Sequence, residues 1–328
     1  MTSPLCLIAE PIHPRGAQIL EQAGIRTRLA SNADLTQVPS ELADVDAIIV
    51  RNALPAAAMD AAPRLAVIAN HGTGTDAVDT AHALALGIPV VYTPTTNVRA
   101  VAEHAIMLML AVARQVVVAD EATRLGHSRA QFRQPMLSLH GKVLTVLGFG
   151  HTGRYVAEMA RGLGMNVQVW SPNSPDAGIV ALGATPVRNL DQALATADVV
   201  SMHRPLRPDT RHTLDRNTLA LLKPTAIVIN TSRGGLIDEQ ALADSLSSGR
   251  LFGAGLDVLE SEPMSAASPL AGLRNVIFTP HVAGSTQDAL HDTAQSCVMQ
   301  IIDVLQGRKP VSLVHPDAWE SRRFQQPR

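Results

Sequence analysis

Short apolar runs alternate along this chain with longer stretches in which apolar residues recur at helical spacing. Leu5–Ala9, Ala47–Val50, Leu65–Ala69 and Ile88–Val91 read as strands. Arg15–Ala23 and Ala77–Leu86 read as helices, the second ended by Gly87 and Pro89. Strands that are apolar throughout and separated by helices predict parallel βαβ units with both sheet faces covered. Val98 to Val118 holds no Gly or Pro, with Asn97 as a candidate N-cap, and predicts one helix of about 30 Å. Residues 126–142 lose periodicity and read as an extended connection.

A second series follows the same rule. Val143–Leu147, Asn166–Trp170, Asp198–Met202, Ala226–Ile229, Phe252–Leu256 and Asn275–Phe278 read as strands, with Thr152–Leu163 the first of the helices between them. Ser285–Leu305 is helical again and stops at Gly307 and Pro310, and Trp319–Arg328 reads as a loose polar tail. No repeat of 20–50 residues is present.

Composition narrows the class. The 328 residues suit two domains, and 46% apolar against 17% charged residues is the balance of a packed protein rather than a disordered one. A net charge of −2 with no basic run argues against a nucleic-acid partner. The longest apolar run, Ala105–Ala113, is nine residues, too short to span a membrane's hydrocarbon core of about 30 Å. The two cysteines, Cys6 and Cys297, form no metal-ligand spacing, so no metal is expected. With no basic and apolar leader at the N-terminus, a cytoplasmic location is the expectation.

The strongest local signal is Gly148-Phe149-Gly150-His151-Thr152-Gly153, a GxGxxG turn between a strand and a helix. The first Gly allows the tight turn, the second admits a pyrophosphate against the backbone, and the third lets helix and strand approach. The N–H groups at the helix start would face the phosphates. The acid expected about 20 residues on, to hold the ribose hydroxyls, is missing. Ser171 follows Val167-Gln168-Val169-Trp170, then Pro172, Asn173, Ser174 and Pro175, with no Arg there to attract a 2′-phosphate. Arg154 nearby reads as a helix-surface charge. Both NAD(H) and NADP(H) remain candidates.

Three later segments each put polar residues just after an apolar strand, at the edge where open α/β sheets bind ligands. They are Asn230-Thr231-Ser232-Arg233-Gly234-Gly235, Leu256-Asp257-Val258-Leu259-Glu260-Ser261-Glu262-Pro263 and Thr279-Pro280-His281-Val282-Ala283-Gly284. An Arg, a Glu and a His after successive strands can converge in one cleft.

Together with His71-Gly72-Thr73-Gly74-Thr75-Asp76-Ala77-Val78-Asp79, Gly87-Ile88-Pro89-Val90, Asn97 and Val101-Ala102-Glu103-His104, these segments resemble the D-isomer-specific 2-hydroxyacid dehydrogenases. That family includes phosphoglycerate dehydrogenases and glyoxylate/hydroxypyruvate reductases, and the resemblance covers nearly the whole chain. It implies an α/β fold of two Rossmann-like or flavodoxin-like domains with parallel sheets, joined by two long crossing helices. Residues 1–97 plus 285–328 would form the substrate domain and 98–284 the dinucleotide domain. It implies Arg233 as the catalytic arginine, Glu262 as the acid paired with the histidine and His281 as the proton donor. Asp257 would meet the nicotinamide carboxamide. His203-Arg204-Pro205, Asn230-Thr231-Ser232 and Gly284 would line the cofactor cleft with the Gly148–Gly153 turn. The Gly72-Thr73-Gly74 loop would offer N–H groups to a substrate carboxylate. The stretch 119–142 would embrace a second copy in a homodimer. Two departures stand out: Ser171 in place of the usual acid, and His151-Thr152 where the turn often carries Arg-Ile.

The implied activity is hydride transfer between a nicotinamide cofactor and a small 2-keto or 2-hydroxy acid. No side chain supplies a hydride. His281 can give a proton near neutral pH, Glu262 can orient it and raise its pKa, and Arg233 offers a planar fork of donors to carboxylate and carbonyl. Arg51, after a strand end, and Arg99 can anchor a second anion or be surface charges. His71 is either a substrate contact or a solvated loop residue. A nucleotide-sensing, corepressor-like protein of the same family is the non-catalytic alternative. A formate dehydrogenase fits less well, since its product needs no proton relay.

Overall fold

The computed structural model describes residues 3–326. Contacts divide the chain into two compact units, 1–97 with 285–328 and 98–284. The chain passes from one to the other at 97/98 and at 284/285.

The first unit holds a five-stranded parallel sheet of β1 (Leu5–Ile8), β2 (Arg26–Leu29), β3 (Ala47–Val50), β4 (Val67–Asn70) and β5 (Val90–Val91). Its order is β2-β1-β3-β4-β5, the doubly wound order of flavodoxin-like sheets. Alternation along each strand feeds two cores. Leu5, Leu7, Ile48, Val50 and Ile68 join Leu35, Leu42 and Met59 on one face. Cys6, Ile8, Ala47, Ile49 and Val67 meet Leu20, Cys297, Val298 and Ile301 on the other. Because both faces are covered, the strands read as unbroken apolar runs. β2, with sequence Arg-Thr-Arg-Leu, is the exception: it is an edge strand and half-exposed.

The second unit holds β6 (Val143–Leu147), β7 (Asn166–Trp170), β8 (Thr185–Pro186), β9 (Val199–Met202), β10 (Ile227–Asn230), β11 (Gly253–Leu256) and β12 (Val276–Phe278). All pairings are parallel, in the order β12-β11-β10-β9-β6-β7-β8. The strand order reverses between β6 and β9, the switch point at which such sheets bind ligands. The α/β class and parallel sheets are those expected.

Two expectations change. The helix from Val98 ends at Ala113; a second runs Val116–Arg124, at 59° to the first. Between them Gln115 takes a left-handed conformation, φ 52°. The left-handed Gln115 interrupts the helical ladder, its N–H turning to Val112 O, so Val116-Val117-Val118 open the second helix rather than extend the first. The stretch 119–142 is therefore helical in its first six residues and irregular only afterwards. The tail is not loose over its described part; Pro327 and Arg328 lie outside the described residues. Trp319 is buried, and Arg322 stacks 3.9 Å over its ring. The Arg323 N–H donates to Gly87 O at 2.6 Å. Gly87 has φ +67°, and a Cβ there would sit 2.8 Å from Ser321 O, so the tail seats against a turn that only glycine permits.

Among the described residues no single helix is long and apolar enough to cross a membrane. Nor do three His, Cys, Asp or Glu side chains gather as a metal site there.

Candidate active site

The Gly148–Gly153 turn joins β6 to the helix His151–Gly162. A Cβ on Gly148, at φ +103°, would lie 2.4 Å from His203 O; one on Gly153 would lie 2.2 Å from Gly148 O. The turn thus packs backbone on backbone across the switch point. A Cβ on Gly150, in contrast, would meet nothing within 4 Å. Gly150 is also the helix N-cap and supplies no side-chain cap, which leaves the first N–H groups of a twelve-residue helix available to an anion. Thr231 Oγ1, after β10, is buried and without a partner. Open space at Gly150, uncapped donors and an unspent hydroxyl fit a dinucleotide. His151, Thr152 and Gly153 would face its phosphates.

His203 follows β9; its Nε2 lies 2.8 Å from Ser201 Oγ, and burial pushes its pKa down to about 3. It stays neutral, a framework group beneath the turn. Arg204 stacks 4.7 Å over the Trp170 ring, its carbonyl accepts the Ser232 hydroxyl at 2.6 Å, and the exposed Pro205 follows.

At the end of β7, Ser171 Oγ accepts the Phe149 N–H at 3.3 Å and lies 2.8 Å from Ser174 Oγ. A guanidinium is present here after all, from beyond the local sequence. Arg188 donates to the carbonyls of Ser171, Pro172 and Ser174 and pairs with Asp176. Sequence reading missed it because β8 and its following turn, not the β7 loop, deliver it.

The three later segments follow β10, β11 and β12, which are neighbours in the sheet. Residues far apart in sequence therefore meet along one edge. His281 Nδ1 lies 2.7 Å from Glu262 Oε2. Glu262 Oε1 accepts the Leu259 N–H at 2.9 Å, which fixes the carboxylate. Asn230 closes the arginine loop: its Nδ2 donates to Arg233 O at 2.8 Å and its Oδ1 accepts the Ser232 N–H at 3.0 Å. Gly234 is obligatory for a different reason from Gly148. Its Cβ would fall 1.9 Å from Leu259 C, so the loop carrying Arg233 lies directly on the loop carrying Glu262.

Electrostatics agree with the geometry. The hydrogen bond to Glu262 raises the His281 pKa above its ordinary value; burial and the Arg233 charge pull the other way, and the Glu262 and Asp257 charges add to the rise. Burial pushes the Glu262 carboxyl up, but the His281 bond, the Leu259 N–H and the charges of His281 and Arg233 outweigh it and hold it low. Asp257 is buried and accepts the Val282 and Ala283 N–H groups, each at 2.9 Å, just before Gly284. These bonds hold His281 at φ +54°, a conformation few non-glycine residues adopt.

In the first unit, Arg51 and His71 follow β3 and β4. The Arg51 and Asn52 N–H groups donate to the Glu10 carboxylate, and the exposed Arg51 side chain reaches Pro11 O at 3.4 Å. His71 is not solvated: it is 8% exposed and its Nε2 has no partner. Burial, with the Arg51 charge beside it, pushes its pKa down to about 4. Asn70 Nδ2 holds the next turn through Gly72 O and Gly74 O, both at 3.0 Å, and Thr73 Oγ1 lies 2.9 Å from Asn97 Oδ1. Arg99 is exposed and pairs with Glu103 one turn along its helix at 3.4 Å.

Comparison with known proteins follows the same lines. Residues 106–283, more than half the chain, match the profile "D-isomer specific 2-hydroxyacid dehydrogenase, NAD binding domain". The chain belongs to this family. The matched segment is the family's NAD-binding domain, and the cofactor is a nicotinamide dinucleotide, NAD(H) or NADP(H). D-3-phosphoglycerate dehydrogenase of Mycobacterium tuberculosis is 37% identical over 291 residues, 88% of this chain and 54% of that protein. That of Methanocaldococcus jannaschii is 35% identical over 94% of this chain and 59% of its own length. The chain thus spans little more than half the length of these curated relatives. Among solved structures, an NADPH-dependent glyoxylate/hydroxypyruvate reductase from Sinorhizobium meliloti, in complex with NADP and malonate, is 29% identical, with TM-score 0.88 over 98% of this chain and 99% of that one. D-lactate dehydrogenase from Escherichia coli, 26% identical, gives 0.82 over 95% and 100%.

Proposed function

We propose that the protein is an NAD(P)-dependent oxidoreductase interconverting a small 2-keto acid and its 2-hydroxy acid. One observation carries the reading: the His281–Glu262 pair at 2.7 Å, under the field of Arg233, on the strand edge downstream of the Gly148–Gly153 turn. The bound nicotinamide supplies or takes up the hydride. Everything else falls to side chains. Glu262 engages Nδ1, so the transferable proton sits on Nε2 of His281. In reduction that proton passes to the carbonyl oxygen and leaves a neutral ring, which water reprotonates; in oxidation the neutral ring accepts it. Glu262 keeps its charge and steadies the imidazolium. Arg233 holds the carboxylate and polarises the carbonyl.

Residues 98–284 are proposed as the dinucleotide domain and 1–97 with 285–328 as the substrate domain. Arg51, His71 and the Gly72-Thr73-Gly74 turn are the latter's proposed contribution to substrate recognition. A homodimer is also proposed. Its support is the apolar surface along the helices from Val98 and Val116, with Val116 and Val117 more than half exposed and Leu125 at 68%. Light scattering on the purified chain tests it.

The activity is tested by following absorbance at 340 nm while NADH and NADPH are crossed with glyoxylate, hydroxypyruvate, pyruvate, phenylpyruvate, phosphohydroxypyruvate and sulfopyruvate. At least one pair is expected to turn over, and His281→Ala is expected to cut that turnover by about 10²–10⁴-fold, the usual share of a general acid. Turnover with no keto acid, or an unimpaired variant where chemistry limits the rate, contradicts the reading.

A further inference from the structure

His104 lies midway along the Val98–Ala113 helix, outside the three strand-end loops. Its Nε2 is 2.8 Å from Thr279 Oγ1, and its side chain is 16% exposed. Thr279 Oγ1 in turn is 2.5 Å from Asp257 Oδ1. The direction of this chain is fixed by chemistry. A carboxylate can only accept, so the single hydroxyl proton of Thr279 points at Asp257. Thr279 is then left with lone pairs toward His104, and His104 must donate from Nε2. Asp257 Oδ1 also takes the Val282 N–H, Oδ2 takes the Ala283 N–H, and Asp257 O accepts the His281 N–H at 2.9 Å. Apart from the Thr279 N–H, which donates to Leu256 O at 3.0 Å, the bonds that hold the 279–283 turn from the β11 side end on Asp257, and the hydroxyl that completes its shell is oriented by His104.

We propose that His104 is a positioning residue for proton transfer: it donates to Thr279, and through it to Asp257, and so holds the turn that presents His281 to Glu262. The proposal rests on the function assigned above to His281 and Glu262. A turn that keeps a non-glycine residue at positive φ springs back once its anchors loosen, because the conformation costs of order 1–3 kcal/mol. Loss of the His104 donor frees the Thr279 hydroxyl to rotate, weakens the hold on residues 281–283 and lengthens the 2.7 Å pair. The groups that set the His281 proton affinity are Glu262 and Asp257, which raise it, and Arg233, which lowers it. Separation from Glu262 therefore moves the His281 titration to lower pH.

The test compares His104→Phe, which keeps a ring of similar size without a donor, and His104→Gln, which returns an N–H near the Nε2 position. Imidazole resonances of the free protein are followed by NMR against pH, with His281 assigned from His281→Ala. The His281 midpoint is expected to fall in His104→Phe and to recover in His104→Gln. Turnover of the best keto acid is expected to drop about tenfold in the first variant, with KM little changed, as a small misplacement of a reacting group does. An unmoved His281 midpoint in His104→Phe, an equal shift in both variants, or a His104 ring found with Nε2 bare overturns the proposal. A wild-type protein that turns over no keto acid instead contradicts the functional reading, and the titration still decides the role of His104.

Discussion

At the ends of β10, β11 and β12 the polar side chains around His281 are bonded to one another, and among the described residues only Thr231 Oγ1, after β10, is buried there without a partner. His281 is tied to Glu262, Glu262 to the Leu259 N–H, Asp257 to Thr279 and to two N–H groups, and Asn230 closes its own loop. At the ends of β3, β4 and β5, in the other unit, the loops after β3 and β4 are also held, by Glu10 and Asn70, yet two buried atoms stay unpartnered: His71 Nε2 after β4 and Thr93 Oγ1 after β5. Proteins rarely leave buried hydrogen-bonding capacity unspent, because each such group costs about 1–3 kcal/mol. A satisfied network fixes a geometry, which proton transfer requires. An unsatisfied one keeps donors and acceptors in reserve, which suits recognition of a ligand not yet bound.

The sharpest way to break the first network is Gly234→Ala. The new methyl meets backbone, not a flexible side chain, so the Arg233 and Glu262 loops must part. Turnover should fall by about 10²-fold or more, since misplacement of about 1 Å costs that much. Steady-state kinetics beside a melting curve separate this from simple unfolding. Unchanged turnover would mean the two loops are not held as described.

His71→Phe probes the other side of the comparison. It removes the unpartnered nitrogen while keeping the ring's bulk. Thermal stability should hold or rise, because no bond is lost. KM for the keto acid should rise about tenfold if Nε2 is reserved for substrate, equivalent to about 1.4 kcal/mol. Unaltered KM would return His71 to a packing role.

Ser171→Asp tests the cofactor edge. A carboxylate at the end of β7 repels a 2′-phosphate and accepts ribose hydroxyls. Measured by fluorescence titration, NADPH affinity should fall by about tenfold or more relative to NADH. Equal effects on both would show that the 171–174 loop does not face the adenosine ribose.

The smallest effect separates the histidines by pH. The His71 pKa is lowered to about 4 in the folded chain. The unfolded chain therefore binds a proton first, and this residue's contribution to stability is lost as pH falls from about 6.5 toward 4. The His281 pKa is raised, so its contribution is present below about 6.5 and lost as pH climbs through the folded value. Acid melting curves should thus be less steep in His71→Phe, and not in His281→Ala.

Much of this was legible in the sequence, for physical reasons. Val143–Leu147 and Ala47–Val50 read correctly because a strand buried on both faces is almost wholly apolar, Thr145 being the one polar residue of the two. β2 escaped because Arg-Thr-Arg-Leu is an edge strand with polar faces, and β8 because two residues carry no period. The helix break at Gln115 left no Gly or Pro to announce it. Arg233, Glu262 and His281 stood out as candidates because each follows an apolar strand, and the fold brings His281 and Glu262 together. Arg188, Thr279 and His104 act through partners 12 to 175 positions away, and no local pattern encodes such pairings.

The most direct test is the pH dependence of keto-acid reduction in the wild type and in Glu262→Gln, under conditions where chemistry limits the rate. The wild-type rate should decline as pH rises through the His281 pKa, above 6.5, and the decline should begin at lower pH in the variant, whose neutral partner no longer favours the imidazolium. Superimposable profiles would contradict a proton supplied by His281 under the control of Glu262.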